Sequence, residues 1–163
     1  MDSLKTIKGL FVIAIEEINS KPVLSWNGDI LEFRNEGTSD CLYITVNDEF
    51  LKVIEMHESF IYVTTTHRNK IPLYYRYIDN RHCISNSVYF LVKKNDNIGL
   101  DSVALASTLM GIGDPKSYFT NLFKDIRLLK SSSTYEIANG DIVYKKTIIL
   151  NTLITVTIRI KTT

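Results

Sequence analysis

The chain has 163 residues, of which 45% are hydrophobic and 23% charged. That suits one ordinary domain with a buried core and argues against a chain disordered as a whole. The formal net charge is +1, so the total does not demand a strongly anionic partner such as duplex DNA.

The total hides an asymmetry. Residues 1–66 carry 11 acidic and 5 basic side chains, a balance of −6, and residues 67–163 carry 7 and 14, a balance of +7. Opposite charge on two parts of one surface draws copies together head to tail, into rings or filaments. If the two parts interleave in the fold, the field cancels instead.

Taken in chain order, the first apolar run, Leu10 to Ile15, fits either a helix or a buried strand, and its Phe, Val and Ile content favours a strand. It is too short for a secretory core or a bilayer span, so the expectation is a protein made without export and without a membrane partner. Val23 to Trp26 and Ile30 to Arg34 read as two strands joined by an Asn27-Gly28-Asp29 hairpin turn. Cys41 to Val46, Phe50 to Ile54 and Ser59 to Thr65 follow, with polar turns between them. Leu73 to Ile78 and Ser87 to Val92 are expected as two more strands, and Lys93 to Asn97 as a polar break.

The pattern then changes. Asp101 is placed to cap a helix over residues 102–110, ended by Gly111 and Gly113. Asp114-Pro115 signals a second helix start, and Phe119, Leu122, Phe123, Ile126 and Leu129 follow at helical spacing. Tyr135 to Ala138 and Ile142 to Tyr144 flank Asn139-Gly140, a second hairpin signal. Ile154, Val156, Ile158 and Ile160 alternate with Thr155, Thr157, Arg159 and Lys161, the pattern of a half-buried strand. These elements predict a single mainly β domain over residues 1–163: an antiparallel sandwich or barrel, with one or two helices inserted at about 101–130 before a C-terminal hairpin.

Catalytic signals are weak. His57, His67 and His82 lack metal-ligand spacing, and His82 and Cys83 face opposite sides of a strand. Cys41 and Cys83 are too few for a disulfide scaffold and read as buried free thiols, in keeping with a reducing compartment. Glu16-Glu17, Asp48-Glu49 and Glu55 with Glu58 are the acidic pairs that glycosidase chemistry would need to converge on a cleft. Gly111-Ile112-Gly113 lacks the Gly-Lys-Ser/Thr ending of a phosphate loop and reads as a helix junction. The expectation is a non-enzymatic protein with no catalytic, cofactor-binding or metal-binding residues and no cofactor.

One patch stands out. Arg68 and Lys70 precede Tyr74-Tyr75-Arg76-Tyr77, and Arg81-His82 continue it. Aromatic and basic residues interleaved on a strand read first as ordinary sheet, then as a protein interface, and then as a platform that stacks single-stranded bases. Tyr74, Tyr75, Arg76 and Tyr77 are candidate interface residues, together with Arg159 and Lys161 on the last strand.

A strand ending in Asn35-Glu36-Gly37, a strand ending in Val46-Asn47, and Glu58-Ser59-Phe60 after a short strand form a recurring pattern over residues 33–62. It resembles small β-sandwich modules in virion proteins of tailed phages (tails, baseplates and head–tail connectors) and in other extracellular β modules. The resemblance implies a structural subunit of a virion that binds copies of itself and other virion proteins, and it carries no catalytic residues. A single-stranded nucleic-acid-binding barrel and an enzyme with a loop-assembled site are the alternatives.

Overall fold

The computed structural model describes residues 7–66, 71–92, 98–102, 105–106, 123–149 and 155–160, with side chains described up to residue 145. Its strands are β1 (Phe11–Ile18), β2 (Lys21–Gly28), β3 (Leu31–Asn35), β4 (Asp40–Val46), β5 (Glu49–Met56), β6 (Ile61–Thr64), β7 (Tyr74–Ile78), β8 (Arg81–Ser85), β9 (Arg127–Leu128), β10 (Thr134–Ala138), β11 (Asp141–Ile149) and β12 (Thr155–Ile160). They form two sheets, ordered β2-β1-β8-β7-β9 and β12-β11-β10-β6-β5-β4-β3. Every pairing is antiparallel. The mainly β sandwich expected from the sequence is the observed architecture.

Phe11, Ile13 and Ile15 of β1 meet Leu42, Ile44, Ile54, Ile61, Val63 and Ile137 of the larger sheet in one core. The intervening Val12 and Ala14 are buried too. A central strand covered on both faces has no polar alternation, which explains why its sequence reads as a continuous apolar run. In β5, Val53 is an extra residue opposite the Leu42/Tyr43 step of β4. This bulge puts both Val53 and Ile54 into the core.

Two-residue turns close four of the hairpins. Asn19-Ser20, Asn47-Asp48, Asp79-Asn80 and Asn139-Gly140 all have positive φ at both positions. That is the turn whose twist matches antiparallel strands. Asn27-Gly28 is not one of them. β2 pairs with β1 and β3 with β4, so the chain crosses between sheets after Gly28 rather than folding back. Glycine is required there because a Cβ would collide with Phe11. Asp29 instead accepts a hydrogen bond from the Gly9 amide, 2.9 Å away.

Two further expectations are corrected. The strand expected at Ser87 to Val92 is a 3₁₀ turn, Val88–Leu91, because the Ser87 hydroxyl accepts from the Tyr89 amide and starts a turn. The strand partner of β7 comes earlier, as β8. The helix expected to reach Leu129 does not do so. Phe123 bridges Leu100, Ile126 is buried in a turn, and the Leu129 amide donates to Leu73 O at 2.8 Å beside β7. Its earlier residues, including Asp114-Pro115 and Phe119, lie outside the described residues, as do Gly111 to Gly113 and the polar break Lys93 to Asn97. At Asp101 the expected start is present: Ser102, Leu105 and Ala106 are helical, and the Leu105 amide donates to Asp101 O.

The acidic first part of the chain supplies β1–β6 and the basic second part β7–β12. In each sheet the first set lies together on one side and the second on the other. The two parts therefore do not alternate strand by strand.

Candidate interaction surface

The Tyr/Arg patch does not form one surface. Tyr75 is buried in the sandwich core, where its hydroxyl sits 3.0 Å from His82 Nδ1. Burial pushes the Tyr75 phenol up to about 12 and lowers the His82 pKa. Arg76, one residue on, faces the other side of the sheet. It is buried there, with Nη1 donating to Leu91 O at 2.6 Å. Tyr74 is half-buried and Tyr77 exposed. Arg159 lies on β12 opposite Lys145 of β11. Arg68, Lys70 and Lys161 lie outside the described residues.

A different surface assembles where β2 ends one sheet and β3 ends the other. Trp26 and Phe33 point inward from these terminal strands, opposite Ile13 and Leu42 respectively. With no further strand beside them among the described residues, they close the side of the sandwich and stay 39% and 44% exposed. Their rings stack with centroids 5.5 Å apart and planes 11° from parallel.

The outer face of β3, β4 and β5 continues this region. The Arg34 guanidinium lies over Phe50 at 4.2 Å and over Tyr43 at 5.0 Å. Its Nε also contacts Glu32 at 2.8 Å. Such stacking holds a long side chain in one place. Beside it, Lys52 Nζ donates to Glu36 at 2.7 Å, and the Tyr43 hydroxyl donates to the same carboxylate. These two donors hold the Glu36 carboxyl at about 2. Phe50 is 48% exposed, so the apolar and cationic groups here are accessible.

An open groove of about 300 Å³ lies nearby, lined among others by Lys21, Asn35, Ser39, Asp40 and His57. Ser39 Oγ lies 3.5 Å and His57 Nε2 3.2 Å from the same oxygen of Glu55. The carboxylate thus sits between hydroxyl and imidazole. In a nucleophile–base relay the imidazole sits between the other two. His57 is also stacked on Phe60, with centroids 4.5 Å apart. The geometry suits a structural turn that pins the chain after β5.

Cys41 and Cys83 are free thiols, the first buried and the second half-buried, and desolvation raises the Cys83 pKa. Among the described residues no cluster of three His, Cys, Asp or Glu side chains has metal-binding geometry, and no helix is long and apolar enough to cross a membrane.

Fold and surface together define an antiparallel β-sandwich with an aromatic, open-edged side. No protein-family model matches the chain, and comparison with curated proteins and with solved structures yields no match.

Sequence reasoning passed over Trp26 and Phe33 because their meeting depends on which strands end the two sheets. The available signal was the single tryptophan on a short strand beside turn residues.

Proposed function

We propose that this chain is a structural assembly subunit that joins other protein subunits, its own copies included, through open sheet edges. The observation that carries the proposal is that two terminal strands of different sheets, β2 and β3, meet through the half-exposed Trp26–Phe33 stack. A terminal strand offers unpaired backbone donors and acceptors, and aromatic residues beside it supply apolar area at low entropic cost. Arg34, Tyr43 and Phe50 on the adjoining face add residue types favoured at the centres of protein interfaces. A virion component of the tail or connector type is the setting that the resemblance over residues 33–62 implies for such a subunit. A single-stranded nucleic-acid-binding role drawn on the Tyr74–Tyr77 patch has less support, since Tyr75 and Arg76 are buried on opposite faces.

Sedimentation velocity over a wide concentration range tests the proposal. The wild type is expected to sediment as more than a monomer. Phe33→Lys, which places a charge on the edge, is expected to stay monomeric with an unchanged circular-dichroism spectrum. A wild type that is monomeric throughout, or a folded Phe33→Lys that assembles equally well, would overturn it.

A further inference from the structure

The sequence of β3, Leu31-Glu32-Phe33-Arg34-Asn35, is charge-complementary to itself when read in the opposite direction. Phe33 is its centre, with an acidic residue on one side and a basic residue on the other. In an antiparallel pair of β3 strands related by a two-fold axis through Phe33, Glu32 lies opposite Arg34 of the second copy, and Arg34 opposite Glu32. Leu31 lies opposite Asn35.

The backbone has the phase that this pairing needs. The Thr45 amide donates to Ile30 O at 2.9 Å, so Ile30 and Thr45 are a hydrogen-bonded pair. Such pairs alternate along an antiparallel ladder. In the observed register, Glu32 with Tyr43 and Arg34 with Cys41 are then the next hydrogen-bonded pairs. Leu31, Phe33 and Asn35 turn their N–H and C=O groups away from β4, along the open edge. These are the three residues whose backbone groups a two-fold partner centred on Phe33 must meet. Glu32 and Arg34 fall at the non-hydrogen-bonded positions, where facing side chains approach most closely.

The side chains are also prepared. Glu32 and Arg34 are 47% and 40% exposed and already contact each other. Arg34 is held over Phe50 and Tyr43. Pairing two copies turns one ion pair per subunit into a four-charge cluster of alternating sign, and it sets two Trp26–Phe33 stacks side by side across the axis.

We infer that the β3 edge binds the β3 edge of a second copy in an antiparallel, two-fold pairing centred on Phe33. This inference rests on the assembly reading above and names its partner and register. The interface is isologous, so it closes at two copies, whereas a head-to-tail contact between the acidic and basic sides would extend to a ring or filament.

The test is charge reversal read by native mass spectrometry and sedimentation. Glu32→Arg leaves two cations facing two cations, and Arg34→Glu leaves two anions facing two anions. Each variant is expected to dimerise about ten-fold or more weakly than the wild type. An equimolar mixture of the two restores opposite charges at every position and is expected to form a mixed dimer of wild-type strength, as is the double variant E32R/R34E alone. Glu32 is exposed and Arg34 half-buried on the outer face, away from the sandwich core, so circular dichroism is expected to be unchanged. Single variants that dimerise like the wild type, a mixture that does not recover, or a wild type that stays monomeric would each overturn the pairing. If charge reversal has no effect while Phe33→Lys still abolishes association, the pairing falls and the broader assembly reading stands. Species larger than two copies that ignore both charge variants would also overturn it, in favour of a head-to-tail contact.

Discussion

Trp26 lies flat against Phe33 although the two residues belong to different sheets, and the chain between them passes from one sheet to the other. Among the described residues, the stack is the seam at which the sandwich is closed by side chains rather than by a strand. Because Trp26 is the only tryptophan in the chain, the intrinsic fluorescence reports on this seam. On raising the protein concentration through the association range, the emission is expected to shift to shorter wavelength as the ring loses water. The shift is expected to be absent in Phe33→Lys. An emission maximum that does not depend on concentration would contradict association at this seam.

Gly28 allows the cross-over that brings the two residues together. A side chain there meets Phe11, which is fully buried. Gly28→Ala is expected to cost about 1–3 kcal/mol, the usual range for overpacking a tight site. Thermal unfolding is the check. A variant as stable as the wild type would show that β1 yields at that point.

Two titrations give signs that can be checked. Burial beside Tyr75 lowers the His82 pKa from its ordinary 6.5, against the weaker opposing influence of Glu17 and Asp141. Above 6.5 the imidazole is neutral in both folded and unfolded chains. Below 6.5 the unfolded chain takes up a proton that the folded chain resists, so stability falls with pH until the folded value is reached. The melting temperature is expected to drop over this window, and His82→Gln is expected to flatten the decline.

Glu36 runs the other way, with its carboxyl depressed from 4.5 to about 2 by Lys52 and Tyr43. Its contribution is complete above 4.5 and is lost as pH falls toward 2. A carboxyl titration followed by NMR is expected to place Glu36 near the low value in the wild type and closer to 4.5 in Lys52→Met. A wild-type Glu36 that titrates normally would mean that the Lys52 contact is not maintained in solution.

The strands were legible in the sequence wherever alternation or a turn pair marked them. Asn139-Gly140 and Asn47-Asp48 lie in the turns their sequences indicate. Asn27-Gly28 carries the same signal for another reason, because close packing on Phe11 and a hairpin both call for glycine. Ser87 to Val92 looks like strand by composition, yet one hydroxyl-to-amide bond at Ser87 turns it. Ile126 and Leu129 keep a helical spacing while being buried from a turn and a strand end, since a stripe three residues apart fits any segment that touches the core twice. The interaction surface was the least legible part. Tyr75 and Arg76 read as one patch until the pairing of β7 with β8 and the 3₁₀ turn bury them on opposite faces. Trp26 and Phe33 gain their meaning only from sheet order, a non-local property that no short window contains.

Residue-resolved amide hydrogen exchange at β3, in dilute and in concentrated protein, goes most directly to the pairing of edges. The Glu32 and Arg34 amides face β4 within the subunit, and their protection is expected to be the same in both samples. The Phe33 amide faces the open edge. It is expected to exchange freely in the dilute sample and to become protected in the concentrated one. A Phe33 amide that exchanges at one rate at all concentrations would contradict assembly through this strand.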